Sequence, residues 1–332
     1  MRLVVEPADG LVDQIPEIRV EGAPDGSPVT LTISTTDAAG HRWQSVTASG
    51  DSGSGGNTDQ SEPWWSMEFA SEGKAPVAFT APPDQLEYKL RGEAGLEVAT
   101  AVATRRWLAG AARGETVVGD GYRLATFAPD GGGDHPGVLI IPGSVGAAAL
   151  EPTAALLASH GYATAVLAYI QEPGLPPSLR EVPIEALAAG YRSFVASSAV
   201  NADRIVVLAA SVATGGALAM LINAADIDPR GLVAISPTHV VWQALGDGGP
   251  PPKASSWTLA GAPLPWTRMR GERLLPQMID HALFDRFHRH PRPKALHLLA
   301  AYAAGLSEGS ADEPATLAVE RIRCPLLLLS GQ

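Results

Sequence analysis

The sequence is poor in cysteine and in lysine, and it has no long apolar run. Cys324 is the single cysteine among 332 residues, so no internal disulfide can form and the chain fits a reducing compartment. Its first residues, MRLVVEPADG, have no apolar stretch of signal-peptide length. No segment of about 18 uninterrupted apolar residues occurs, so no membrane insertion is expected. Together these absences point to a cytoplasmic protein. Lysines make up four of the 24 basic residues, and 35 acidic residues leave a net charge of -11. An acidic chain without a basic patch repels phosphate backbones, so no nucleic acid is expected as a partner. The bulk composition, 45% hydrophobic and 18% charged, excludes a disordered or collagen-like chain. The length corresponds to roughly two domains.

Two regions with different hydrophobic periods follow. In residues 1–108, Val29, Leu31 and Ile33 alternate with Thr30, Thr32 and Ser34, and Ile18 and Val20 flank Arg19. A period of two with β-branched residues marks half-buried strands. Further strands are expected at Trp65–Phe69, Val77–Thr80, Tyr88–Arg91 and Val98–Thr104. The glycine- and serine-rich run from Ser49 to Gln60 is too polar to pack. Short strands separated by turn residues predict an all-β, immunoglobulin-like sandwich.

After Trp107 the pattern changes. Gly137–Ile141 and Tyr162–Tyr169 are continuous apolar runs, as strands buried on both faces require. Further strands are expected at Arg204–Ala209, Gly231–Ile235 and Pro325–Leu329, with helices at Leu150–His160, Pro183–Ser197 and Val212–Asn223. Alternating strand and helix predicts a mostly parallel sheet with helices on both faces. The alternation stops between Ser236 and Cys324, and residues 237–306 read as a lid-like insertion. The uncovered last strand is a pairing hazard, so poor solubility or self-association is expected.

The chemistry concentrates at Val206–Gly216, VVLAASVATGG. A buried strand ends at Ser211 and a helix of small residues starts at once, the layout of a nucleophile elbow. Ala209 and Ala213 occupy the two flanking positions that must be small, because strand and helix backbones approach closely there. Directly after the first strong strand comes Pro142-Gly-Ser-Val-Gly146. In hydrolases of this layout that loop donates one backbone N–H to the oxyanion, and the residue after the nucleophile donates the other. The expected oxyanion hole is therefore formed by the N–H groups of Ser144 and Val212, with Val145 as the alternative to Ser144. The loop lacks the Lys-Ser/Thr of a phosphate-binding P-loop. A serine needs a base. Of the eight histidines, His239 follows the strand ending at Ser236, on the edge where site loops emerge, and is the substitute base within the chain. His288 and His290 are read as non-metal, and no metal or resident cofactor is expected. Cys324 reads as packing.

These residues resemble the acyl-CoA thioesterase and bile acid-CoA:amino acid N-acyltransferase family of the α/β-hydrolase superfamily. The likeness is carried in the first region by Gly26–Thr32, Asp37–Ser45 and Trp65–Met67. In the second it is carried by Leu157–Ala163, Leu167–Tyr169, Gly174–Pro176, Val182–Glu185, Ile235–Gln243, Gly261–Pro265 and Ile322–Gln332. The resemblance implies an α/β-hydrolase over residues 109–332 behind a β-sandwich over 1–108. It implies a covalent acyl-enzyme formed from an acyl-CoA, coenzyme A being part of the substrate. Water then releases the acid, or an amino acid takes the acyl group. The aligned nucleophile is Ser211, which favours hydrolysis. The sequence departs from the family in carrying Ala at 209 and 213 and Val at 212, where Gly, Gly and Lys or Arg are usual. The family's catalytic Asp and His follow the Leu-Ser-Gly-Gln strand, and neither has a counterpart within these 332 residues. A chain incomplete at its carboxyl end and a non-catalytic acyl-binding homologue are the two expectations this leaves. The oligomeric state is not readable.

Overall fold

The computed structural model describes residues 1–330 apart from 25, 50–60, 72–75, 145, 247–250, 288–295, 297 and 308–313. Val145, His288 and His290, and most of the polar run after Ser49, lie outside the described residues. The chain forms two compact units, Met1–Ala109 with Leu283–Ala295, and Gly110–Ala282 with Leu296–Gln332, so that the helix Leu275–Phe287 begins in the second and ends in the first.

The first unit contains β1 (Arg2–Glu6), β2 (Asp9–Leu11), β3 (Glu17–Glu21), β4 (Val29–Thr36), β5 (Arg42–Ser49), a short helix α1 (Glu62–Trp65), β6 (Glu68–Phe69), β7 (Gln85–Ala94) and β8 (Glu97–Arg106). β1 and β3 form one sheet; the other runs β2-β8-β7-β4-β5-β6. β7 alternates buried and exposed along most of its length, as a strand with one wet face must. Leu3 and Val5 of the small sheet pack with Ile33, Leu86, Tyr88, Leu90 and Ala103 of the large one.

Two expected strands need correction. Residues 62–65 are helical, and only Glu68–Phe69 pair as a strand. Pro63 lies in the first helical turn, where its fixed φ favours a helix start over strand pairing. Val77–Thr80 is not a strand; Pro76, Pro82 and Pro83 surround it and remove ladder donors. β5 carries Ser45 and Thr47 among its apolar residues, which hid it from the periodicity, yet it pairs with β4 from Val29↔Ser49 to Thr36↔Arg42.

The second unit is a mostly parallel sheet flanked by helices. It contains β9 (Ala111–Arg113), β10 (Val117–Gly119), β11 (Tyr122–Pro129), β12 (His135–Ile141), α2 (Glu151–Ser159), β13 (Ala163–Ala168), β14 (Val182–Pro183), α3 (Ile184–Val195), β15 (Val200–Ala210), α4 (Ala213–Asn223) and β16 (Gly231–Ile235). Then come β17 (Trp257–Leu259), β18 (Ala262–Pro263), α5 (Leu275–Phe287), α6 (Leu299–Ser307) and β19 (Leu326–Leu329). The main sheet runs β10-β11-β13-β12-β15-β16-β19, with β9 also on β11. From β13 to β19 the pairing is parallel. β9, β10 and β11 extend it antiparallel; their short alternating runs lack the continuous apolar signature that marked the centre. β14, β17 and β18 make a separate small sheet.

Every residue of β13 is buried, which explains its unbroken apolar run. Helix ends follow local chemistry as well. Pro183 precedes α3 in an extended conformation, and Gly161, at φ +94°, follows α2, a backbone setting that costs glycine nothing. β12, β15, β16 and β19 run in the same direction, so their carboxyl ends share one edge of the sheet. That edge is where open α/β sheets place their ligand sites.

Candidate active site

Ser211 directly follows β15, and Val212 is the N-cap residue of α4. Its φ is +53°, a left-handed setting that costs a non-glycine residue roughly 1–2 kcal/mol. Three hydrogen bonds hold it there. Ser211 N–H donates to Ile235 O at 2.7 Å, and Ser211 O accepts from Thr214 N at 3.0 Å. Thr214 Oγ1 donates to the same carbonyl at 2.7 Å. The first bond ties the turn to β16; the other two close the first turn of α4. Strain of this kind persists only where neighbouring structure over-determines it, and it concentrates at reactive sites.

The small-residue requirement is visible. Ala209 and Ala213 are fully buried. On Gly216 a Cβ would lie 2.5 Å from the Trp257 ring, so the indole packs directly on the helix backbone. Trp257 contacts Tyr169, with ring centroids 5.3 Å apart. The Tyr169 hydroxyl donates to Pro142 O at 2.7 Å, and burial raises its pKa, so it stays a neutral donor. This frame connects α4 to the loop after β12. In that loop, a Cβ on Gly143 would lie 2.9 Å from Ala210 O and 3.1 Å from Ser211 Cβ. The glycine therefore lets the loop lie against the elbow.

A cavity of about 420 Å³ opens at Ser211, with Val212, Ser236, His239, Trp242, Tyr302 and Ser330 among its lining residues. Ser236, at the end of β16, repeats the left-handed backbone of Ser211 with φ +50°. Its N–H donates to Leu329 O at 2.7 Å. The carboxyl ends of β15, β16 and β19 thus each deliver a serine to one cavity. Val212 lines it too, at the positive end of the helix. Ser144 is exposed and lines a different cavity with Ile170, Gln171 and Leu245; the loop residue placed against the elbow is Gly143.

No protein-family model matches the chain. Three mouse proteins share sequence with it. Acyl-coenzyme A thioesterase 6 is 38% identical over 93 residues, 28% of this chain and 22% of that protein. Acyl-coenzyme A amino acid N-acyltransferase 1 is 24% identical over 208 residues, 56% of this chain and 50% of that protein. Bile acid-CoA:amino acid N-acyltransferase is 34% identical over 122 residues, 37% of this chain and 28% of that protein. The chain is thus similar in sequence to parts of an acyl-CoA thioesterase and of acyl-CoA amino acid N-acyltransferases. The matches cover no more than half the length of these relatives. Among solved structures, a bacterial heroin esterase overlaps 40% of the chain and 46% of its own, at 19% identity and a TM-score of 0.34.

His239 is exposed and lines the Ser211 cavity. Among the described residues, no hydrogen bond links its ring to Ser211. Cys324 is partly buried and packs on the core of the second unit. Burial pushes its thiol pKa up, which disfavours the thiolate. Among the described residues no three His, Cys, Asp or Glu side chains group as a metal site would require. No helix among them is long and apolar enough to cross a membrane.

Sequence reasoning did not single out Thr214, Thr238, Tyr302 or Gly143 for the site. Gly143 had a legible signal, a glycine one residue past the strand-ending proline. The threonines had none, because their role depends on bonds between α4 and the segment after β16.

Proposed function

We propose that the protein is an acyl-CoA thioesterase that works through a seryl acyl-enzyme on Ser211, with its two domains dividing near residue 108. The observation that carries this reading is the left-handed Ser211 at the mouth of a largely apolar cavity, between α4 and a glycine loop. Ser211 Oγ attacks the thioester carbonyl carbon. The negative charge formed on the carbonyl oxygen is met by backbone N–H groups of Val212 and of the loop at Ser144. The C–S bond then breaks, coenzyme A leaves as the thiol, and the Oγ proton passes through a base to the leaving sulfur. Water attacks the ester carbonyl next and releases the acid.

The family pattern supplies the base as a His oriented by an Asp, beyond the residues described here. His239 is the imidazole that shares the cavity, and it is the alternative. An acyltransferase differs in its second step alone, in which an amine replaces water. The mouse N-acyltransferase relatives favour keeping that reading in the test.

Ser211→Ala is expected to lower acyl-CoA hydrolysis by about 10⁴-fold or more and to abolish labelling by a fluorophosphonate. Thioester hydrolysis unchanged by Ser211→Ala would overturn the proposal. Loss of labelling in His239→Gln identifies the base as His239; retention places it elsewhere. Added glycine or taurine that turns the product from acid into amide would identify the transferase.

A further inference from the structure

Resting on the acyl-enzyme reading, we infer that Trp242 is the wall that sets acyl-chain length, and that Thr214 and Thr238 fix this wall to the nucleophile. Trp242 lines the Ser211 cavity and is 6% exposed. Its ring meets Tyr302 edge to face, with centroids 4.7 Å apart and planes at 75°. A Cβ on Gly305 of α6 would lie 3.0 Å from the indole and 2.6 Å from Arg268 O. The helix therefore approaches the indole as closely as its backbone allows, and the ring has no room to turn aside.

The indole is also tied to the elbow. Trp242 Nε1–H donates to Thr238 Oγ1 at 2.8 Å. Thr238 N–H donates to Thr214 Oγ1 at 3.0 Å, and Thr214 Oγ1–H donates to Ser211 O at 2.7 Å. Thr214 is fully buried. Three hydrogen bonds thus run from the carbonyl of the nucleophile to the pocket wall. Thr238 Oγ1 also donates to Val240 O at 3.1 Å, which orients its acceptor face toward the indole.

The lining gives the substrate class. Leu299, Ala303, Leu306, Tyr302 and Trp242 make the apolar part, and among the described residues no Asp, Glu, Lys or Arg lines the cavity. Away from His239, such a site takes an uncharged aliphatic acyl group in preference to one bearing a charge at its far end, because the Leu299, Ala303, Leu306 and Trp242 side offers no charged group to offset desolvation. A fixed aromatic wall at a set distance from Ser211 imposes a limiting length. Trp242 is thus a specificity-determining residue, and Thr214 and Thr238 are positioning residues.

Binding of saturated fatty acids from butanoate to hexadecanoate, measured by calorimetry on the full chain, tests this without requiring turnover. For the unaltered protein affinity should rise roughly fourfold per methylene and then stop rising at a defined length. Trp242→Ala should move that break to acids longer by about four methylenes, from the volume the indole vacates. Thr238→Val, which keeps the shape and loses the acceptor, should blur the break, and Thr238→Ser should restore it. Where Trp242→Ala does not fold, Trp242→Phe carries the same comparison. A break unmoved in the tryptophan and Thr238→Val variants overturns this inference and leaves the thioesterase reading standing. Absence of binding at every length in the unaltered protein overturns both.

Discussion

The two units differ in which residues take up left-handed backbone. In the amino-terminal sandwich the described residues with positive φ are all glycines: Gly22, Gly26, Gly40 and Gly95. In the second unit glycines adopt it too, but so do Gln171, Glu181, Ser211, Ser236 and Ala260, each with a side chain, and two of these line the Ser211 cavity. A turn that only reverses the chain uses the residue for which the conformation is free. A turn that must present a hydroxyl keeps its side chain and is held by hydrogen bonds.

The units also differ in what holds them. The sandwich relies on buried polar ties. Arg105, 2% exposed, donates from Nη2 to Pro7 O at 2.8 Å and from Nη1 to Thr104 O at 2.6 Å. Asp37 Oδ1 accepts from the backbone of Ala39 at 2.9 Å and of His41 at 2.8 Å. Its Oδ2 accepts from Trp43 Nε1 at 3.2 Å. The second unit relies on small residues that bring backbones and rings into contact, as Gly216 does under Trp257.

The contrast can be broken at four points, taken from the largest effect to the smallest. Arg105→Leu removes the guanidinium hydrogen bonds to the Pro7 and Thr104 carbonyls and should destabilise the protein by about 2–3 kcal/mol, read from urea unfolding. A loss below 1 kcal/mol would show that the apolar core alone holds the sandwich. Gly216→Ala forces the Trp257 ring or α4 to move. It should cost about 1–3 kcal/mol and change the near-ultraviolet circular dichroism, and an unchanged spectrum would contradict the packing argument.

Asp37→Asn should cost about 1–2 kcal/mol at neutral pH. Burial works against the charge on Asp37, but hydrogen bonds from the His41 backbone and from the Trp43 and His41 side chains outweigh it, so the carboxyl titrates below its ordinary value. A depressed folded pKa stabilises fully above the unfolded value and is lost as pH falls through the folded one. The gap between unaltered protein and variant should therefore be constant above about pH 5 and shrink steadily below pH 4. A gap that widens on acidification would reverse this assignment.

The smallest effect has opposite signs in the two units. Ser211→Gly should stabilise by about 0.5–1 kcal/mol while removing the nucleophile, and Gly95→Ala should destabilise by about 1 kcal/mol. Equal signs would mean that Ser211 carries no strain.

The elbow was legible because its local requirements are severe. A buried strand, a serine, flanking small residues and an immediate helix rarely coincide unless the turn is tight. The doubly buried strands β12, β13, β15 and β16 were legible because burial on both faces forces a continuous apolar run. β9, β10 and β11 were not, since strands of three to eight residues with half-buried alternation look like the loops around them. In the sandwich the helix at Glu62–Trp65 was misread because Trp65, Met67 and Phe69 alternate as a strand would, and the period outweighed the proline.

The sequence by itself determined where the strand-to-helix turn at Ser211 lies, which segments are central strands, and that the two regions have different architectures. These follow from steric demands between near neighbours in the chain and from the period of burial. Only the tertiary structure decided which loop glycine lies against Ser211, which serines join it, and how Thr214, Thr238 and Trp242 connect it to a helix about ninety residues further along. Those contacts join residues distant in sequence, and hydrogen bonds between distant residues leave no periodic trace in the chain.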